Sequence, residues 1–434
     1  MRQMKDSGIE WIGEIPEGWE VKRTKFLFSE RNERCDNDTN LPLLSVSEYY
    51  GVAQRKEKIK EDETLVRASS LDGYKICYQH DIVINIMLAW RSSLGESPVQ
   101  GIVSPSYCVY KPTLSSIYSR YYHYLFRTDI YANVFKQYST GIIDSRLRLY
   151  SDKFFSLFVQ LPPLAEQQRI ADYLDAKCAY IDQCLDMTRQ SMEKLRAYKL
   201  SCITEAVTKG LDPDVPLKDS GVPWIGQIPA GWEFQRLKNI CKIVDCKNRT
   251  PENIPEGQYF VVRTSCVKEG KFIPSGGYHT NEENFIEWTR KGQPRIGDIL
   301  FTREAPMGEA CLVPQMDNIC LGQRMMFLRP NSNTSAQFIL YTIYAPLCRE
   351  FILSLNKGST VGHLKISQVA NIPLLLPPLP EQKRIAAYLD KKCARIDALL
   401  EEKQALLDKL AEYKKSLIFE CVTGKREVPS CWNR

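Results

Sequence analysis

Apolar positions recur at steps of three and four along two long stretches of the chain. The first passes through Ile170, Leu174, Cys178, Ile181, Leu185, Met192, Leu195, Cys202 and Val207. The second passes through Ile385, Leu389, Cys393, Ile396, Leu400, Leu407, Leu410, Leu417 and Val422. Neither 165–208 nor 381–423 contains proline. Each stretch therefore predicts one uninterrupted helix with a single apolar stripe. Pro163 and Pro378 stand just ahead, and Glu166 and Glu381 fall in the first turns, as suits a helix start. Thr-Lys-Gly at 208–210 and Thr-Gly-Lys at 423–425 suit a stop. About 40 residues at 1.5 Å each make roughly 60 Å of helix. A stripe that long cannot be covered by one small domain, so the two helices are expected to pair as an antiparallel coiled coil.

The remaining pattern is short and mixed. Apolar or β-branched runs at Leu43–Val46, Ile82–Ile86, Val103–Tyr110, Tyr259–Val262, Asp298–Phe301 and Met325–Leu328 are separated by Gly, Pro and Ser. One helix is expected in each half, around Ser119–Tyr138 and Ser335–Leu355. The expected fold class is α+β, with five to eight strands in each globular region.

The chain is a tandem repeat. KDSGIEWIGEIPEGWE (5–20) returns as KDSGVPWIGQIPAGWE (218–233), with 12 of 16 positions identical. LPPLAEQQRIADYLDAKCAYID (161–182) returns as LPPLPEQKRIAAYLDKKCARID (376–397), with 17 of 22 identical. KLxxYKxSxIxExVT closes both helices, at 194–208 and 409–423. Between these blocks lie 140 and 142 residues in which only landmarks align: HDIVINI with GDILFTR, YCVYKP with MFLRP, and STGIIDSRLRLYS with KGSTVGHLKIS. Drift alone should erode frame and cargo alike. Uneven divergence fits two copies of one scaffold doing the same work on two different ligands. The expected organisation is a frame segment 1–20, a variable domain 21–160, a helix 161–210, a linker repeating the frame segment 211–233, a second variable domain 234–375, a second helix 376–425 and a tail 426–434. Two such pseudo-symmetric repeats predict a dumbbell with a variable domain at each end.

Composition narrows the function. A net charge of +6 permits a nucleic-acid partner without requiring one. The N-terminus has no apolar signal region, and no apolar run approaches 18 residues. Fifteen cysteines in such a chain fit reduced thiols in a cytoplasmic protein without membrane contact. Cys241 and Cys246 have no second close pair, and the four histidines are dispersed, so no metal site is expected. There is no P-loop, no G-x-S-x-G and no H-E-x-x-H. The Pro-Pro pairs occur only in LPPL with no acid before them, unlike a methyltransferase motif.

The variable regions instead carry basic, hydroxyl and aromatic residues near turns. Tyr49, Lys56, Lys58, Arg91, Arg146 and Arg148 stand out in the first, and Arg263, Arg303, Arg324, Lys357, Thr360 and Lys365 in the second. Such side chains contact phosphates by charge and read base edges by hydrogen bonding.

The W-I-G-x-I-P-x-G-W segment and the L-P-P-L-x-E-Q-x-R-I-A junction, each present twice, resemble the specificity subunit of type I restriction–modification systems. The resemblance covers both repeats. It implies a non-catalytic subunit whose two recognition domains each bind half of a bipartite, asymmetric double-stranded DNA site. It implies two spacer helices that set the distance between half-sites and dock methyltransferase subunits, two in number, followed by restriction subunits. S-adenosylmethionine, ATP and magnesium would then belong to those partners and not to this chain. Glu166, Gln167, Arg169, Glu381, Gln382 and Arg384 would lie near the docking surface, although for the Glu-Gln pairs at the helix starts capping and packing come ahead of docking. Two other classes stay open on the residues alone: a coiled-coil adaptor for other proteins, and an independent DNA-modifying enzyme.

Overall fold

The computed structural model describes residues 2–36, 39–55, 71–221, 225–247, 249–355 and 362–429. It is mixed α and β, and its two dominant elements are helices Leu164–Lys209 and Leu379–Val422. Both start directly after the Pro-Pro pair, where a missing N–H and a fixed φ are compatible only with the first turn. The chain divides into two compact units, residues 1–188 with 404–434, and residues 189–403.

The first unit is built on an antiparallel four-stranded sheet ordered Phe28–Arg31, Tyr107–Pro112, Ile82–Asn85, Leu94–Glu96. Short antiparallel pairs surround it: Leu44–Ser47 with Gly51–Gln54, Lys75–Cys77 with Gly101–Val103, and Glu20–Arg23 with Phe158–Leu161. Helices Ser119–Phe126 and Asp129–Tyr138 pack over the sheet through an aromatic core of Phe28, Tyr121, Tyr122, Phe126, Tyr131, Phe135 and Phe154. Each fully buried aromatic of this kind stabilises by about 1.5–3 kcal/mol. Trp19 from the frame segment closes that core at 0% exposure. In the same core, Ile170, Leu174, Cys178, Ile181 and Leu185 of the first long helix meet Leu417, Cys421 and Val422 of the second. The two segments run antiparallel here, and Lys414 bonds Asp182 across them at 2.6 Å.

The second unit repeats the plan. Its four-stranded sheet is ordered Cys241–Asp245, Met325–Pro330, Ile299–Thr302, Ala310–Leu312. A three-stranded sheet adds Tyr278–Thr280, Tyr259–Val262 and Ile319–Leu321, the last two parallel. Helices Ala336–Tyr344 and Pro346–Ser354 occupy the place of the helical pair in the first unit. Ile203, Ala206 and Val207 pack with Ile385, Ala386, Leu389 and Cys393 around Trp232, and Lys199 bonds Asp397 at 2.6 Å.

Two expectations need correction. Each predicted single helix is a pair. Thr128 and Ala345 adopt extended backbone (ψ 153° in both), and Pro346 imposes this on Ala345 by the clash of its ring with the preceding residue. Strands also number more than five to eight: among the described residues ten lie between Glu20 and Leu161, and eleven between Glu233 and Leu376. Most of the extra ones are two to four residues long in two-stranded ribbons, too short to leave a period-two pattern.

The aligned landmarks also find a reason. Asp81 and Asp298, the common acid of HDI and GDI, are 2% and 3% exposed and receive Arg31 and Arg329 at 2.9 and 2.7 Å. Each also accepts a backbone N–H from three residues earlier, Tyr78 or Arg295. A buried carboxylate with these partners fixes the entry to the second central strand.

Candidate nucleic-acid interface

In the first unit, strand Ile82–Asn85 leaves the sheet into a loop carrying Trp90 and Arg91. Segment 140–149 lies against that loop, because Leu149 donates its N–H to the Ile86 carbonyl at 2.9 Å. The Ser47–Gly51 turn adjoins it through Ser93 Oγ to Val46 O at 3.1 Å. Arg91 pairs with Glu48 at 2.8 Å, and Lys136 pairs with Asp144 at 2.9 Å while lying 4.9 Å from the Trp90 ring centroid. The contacts bring Tyr49, Arg91, Arg146 and Arg148 onto three adjoining loops. Tyr49 is 83% exposed and Arg146 is exposed, whereas Arg148 is half-buried and donates to the Leu147 carbonyl. Lys56 and Lys58 lie outside the described residues.

In the second unit, the equivalent strand Ile299–Thr302 leaves the sheet into loop 303–308. Segment 362–365 lies against it through Leu364 N–H to Arg303 O at 3.1 Å. Arg324 pairs with Glu304 at 2.8 Å. Gly322 donates to Val262 O at 2.8 Å, which sets Arg324 on a turn beside Arg263. Arg263 and Lys365 are exposed. Arg303 departs from expectation: it is 7% exposed and holds Asp245 at 2.8 Å, Leu364 O at 2.9 Å and His363 Nε2 at 2.9 Å. It is an internal tie and not a surface cation. Since a guanidinium only donates, His363 accepts at Nε2 and directs Nδ1–H to Glu304. Lys357 and Thr360 lie outside the described residues.

Residues that the sequence did not single out complete this face. Lys247, Arg249 and Lys291, with Asp245 and Cys246, line a depression of about 390 Å³. Lys247 and Arg249 both bond Glu287 and lie 4.9 and 5.3 Å from the Trp288 ring centroid. Glu287 is held below the usual carboxylate range by these hydrogen bonds, that from Lys247 foremost. In each unit an indole therefore carries cations over its face, and each cation has an acid beside it. The only sequence signal was Trp beside basic residues, which is common on surfaces and weak alone.

The junction residues occupy a different place. Gln167 and Gln382 are 0% exposed. Gln167 Oε1 accepts the N–H of Tyr118 at 2.9 Å, and its Nε2 donates to Ser116 O and Pro162 O at 3.0 and 2.8 Å. Gln382 accepts from Ser335 N–H at 2.8 Å and donates to Asn333 O and Pro377 O at 3.2 and 2.8 Å. Tyr118 and Ser335 are the N-cap residues of the two helical pairs. Both glutamines are clamps between long helix and domain, which corrects the docking expectation for them: a side chain with no exposed surface offers nothing to a partner. Glu166 and Glu381 are largely covered and accept the indole N–H of Trp19 and Trp232. Arg169 is about one-third exposed, and Arg384 is 58% exposed.

Chemically, the two loop clusters offer guanidinium and ammonium donors, hydroxyls and indole faces on ends of two like sheets. Among the described residues no group of three or more His, Cys, Asp and Glu could hold a metal ion, and no helix is long and apolar enough to cross a membrane.

Residues 229–409 match the family model for the type I restriction modification DNA specificity domain. A protein of Methanocaldococcus jannaschii described as a type I restriction enzyme MjaX specificity subunit is 25% identical over 407 residues, covering 87% of each chain. The EcoKI specificity subunit of Escherichia coli K12 is 22% identical over 407 residues, covering 87% of this chain and 83% of that one. Among solved structures, a chain from work on complex assembly and conformational transition of the type I R-M system aligns with a TM-score of 0.69 at 18% identity, over 95% of this chain and 99% of that one. The HsdS subunit from Thermoanaerobacter tengcongensis aligns with a TM-score of 0.53 at 18% identity, over 95% and 98%. The twice-built scaffold, its two loop clusters and these likenesses converge: residues 229–409 match the type I restriction modification DNA specificity domain, and over most of its length the chain is similar to type I restriction enzyme specificity subunits.

Proposed function

We propose that this chain is the DNA-recognition subunit of a type I restriction–modification complex, with no catalytic role of its own. Each variable domain reads one half of a bipartite double-stranded site through the loop cluster at the end of its central sheet. The observation that carries this is the recurrence of one arrangement with different residues: Trp90, Arg91, Lys136 and Glu48 in one unit, and Trp288, Lys247, Arg249 and Glu287 in the other. Equal scaffolds with unequal reading faces specify a non-palindromic target.

The internal acids fit recognition better than unselective binding. A cation already paired to Glu48, Asp144, Glu287 or Glu304 releases less counterion on meeting a phosphate. The acid also holds the cation in a fixed position, where a base edge of the right pattern can compete for it. Discrimination of about 1–3 kcal/mol per base pair adds over a half-site, and two linked half-sites multiply the affinity.

The long helices pair as an antiparallel coiled coil along their length, set the distance between half-sites and present their outer faces to two methyltransferase subunits, to which restriction subunits add. S-adenosylmethionine, ATP and magnesium reside on those partners. The chain is co-expressed with its methyltransferase subunits in cells lacking other adenine methylation, and genomic methylation is sequenced. A bipartite motif whose first half alone changes when residues 21–160 are exchanged is the expected result. Methyl transfer by the purified chain without partners would overturn the reading.

A further inference from the structure

The helical pair of each unit carries one arginine whose side chain ties together the exit of the recognition loop and the turn of a neighbouring β-hairpin. In the first unit this is Arg127. Its guanidinium donates to four backbone carbonyls: Ser92 at 2.8 Å, Leu94 at 2.9 Å, Glu48 at 2.9 Å and Ser47 at 3.2 Å. Ser92 and Leu94 close the loop that bears Trp90 and Arg91. Ser47 and Glu48 form the turn that bears Tyr49. None of these partners is a carboxylate, and burial together with nearby Arg120 pushes the Arg127 guanidinium down to about 10. A charge set against carbonyls alone is expensive to keep unless the geometry it enforces is needed.

In the second unit the corresponding tie is Arg349. It donates to Gly308 O at 2.9 Å and to Glu309 Oε1 at 2.7 Å, at the exit of loop 303–308. Glu309 Oε2 accepts the N–H of Glu269 at 2.6 Å, and Tyr344 accepts the N–H of Gly270 at 2.8 Å while donating to Glu309 at 2.8 Å. Glu269 and Gly270 are the turn of the hairpin Val267–Lys268 with Lys271–Phe272. The tie therefore joins the same two kinds of element as in the first unit. Arg127 sits in the break between its helices, whereas Arg349 sits in the first turn of the second helix, so alignment of the repeats does not pair them.

We infer that Arg127 and Arg349 are positioning residues for DNA reading, each fixing the recognition loop of its own unit against the adjoining hairpin turn; this rests on the reading proposed above. Both are partly buried and their guanidinium groups are bonded to backbone carbonyls or to Glu309, so each acts on specificity through the residues it holds. The two act separately, one for each half-site.

The test is selection of binding sites from a random double-stranded DNA library by the full-length chain with its methyltransferase subunits, comparing wild type with Arg127→Met, Arg127→Lys and Arg349→Met. Arg127→Met should relax base preference in the first half-site by about tenfold and leave the second unchanged. Arg349→Met should do the reverse. Arg127→Lys keeps the charge without the planar fork and should relax the first half-site partly. Folded variants with wild-type preference in both half-sites would overturn the inference, as would unfolding of both Arg127 variants, which would make the residue a core tie only. Wild-type complex that selects no half-site at all would instead overturn the recognition reading itself.

Discussion

Trp19 donates its indole N–H to the carboxylate of Glu166 at 2.8 Å, joining the frame segment to the first turn of the first long helix. Arg2 donates to the same carboxylate at 2.9 Å and lies 5.3 Å from the Trp19 ring centroid. In the second unit Trp232 reaches Glu381 at 3.2 Å. Two residues 147 apart in sequence thus explain why GW and EQ occur together in each repeat. Trp19→Phe keeps most of the apolar volume and removes the donor. A hydrogen bond to a covered carboxylate contributes about 1.5–3 kcal/mol, and the variant should lose that much in urea unfolding. Trp232→Phe should lose less, because its bond is longer and the guanidinium beside Glu381, Arg384, is 3.9 Å away. Equal losses at both sites would refute this account.

Gln167 and Gln382 make a sharper demand. Each satisfies one backbone N–H and two carbonyls with a side chain that has no exposed surface. Alanine at either position orphans three polar groups, so a loss of about 2–4 kcal/mol is expected. Glutamate should be worse than its small change in shape suggests, since it cannot donate to the two carbonyls when ionised. Denaturation of the two glutamate variants at neutral pH checks this; stability within 0.5 kcal/mol of wild type (about the scatter of surface substitutions) would contradict the clamp.

Much of this frame was legible in the sequence, and most of the reading face was not. The long helices were visible because 3.6-residue periodicity is local and proline marks their starts. The pairing of Gln167 with Tyr118 was not, since nothing local encodes a contact across 49 residues. The same limit explains Arg303: its motif looked like an exposed basic turn, but Asp245 and His363, 58 and 60 residues away, draw it inside. Arg127 and Arg349 were hidden for another reason. Their partners are largely backbone carbonyls, which carry no side-chain signature.

His123 sets a pH limit on the first unit. Its ring lies against Gly51 and Gly95, where a Cβ would approach it to 2.7 Å, and its Nδ1 accepts the N–H of Glu96 at 3.3 Å. Burial, with Arg120 and Arg127 adding repulsion, holds its pKa well below the usual histidine value. The native state thus keeps His123 neutral, while the unfolded chain protonates it near pH 6.5. Above pH 6.5 the two states bind equal protons and nothing is lost. As pH falls below 6.5 the unfolded state gains a proton that the native state refuses, and stability should drop by up to about 1.4 kcal/mol per pH unit. The other three histidines are exposed and offer no comparable burial. His123→Gln should flatten the dependence between pH 6.5 and 5 whatever its own stability. An unchanged slope would mean that another group titrates there.

The spacing role can be tested through the helices themselves. Four residues inserted after Thr188 and after Lys403 add one turn, about 6 Å, to each long helix and shift its stripe by roughly 40°. If these helices set the separation of the two reading faces, the selected spacer between half-sites should lengthen by up to about two base pairs, given roughly 34 Å per ten base pairs. The half-sites themselves should not change, because no loop in either cluster is touched. Inserting the residues into one helix only breaks the match of the two apolar stripes and should weaken binding instead of lengthening the spacer. Binding-site selection with the double insertion and each single insertion separates these outcomes. An unchanged spacer with both insertions in place would show that the DNA separation is fixed elsewhere, and the helices would keep only their packing role.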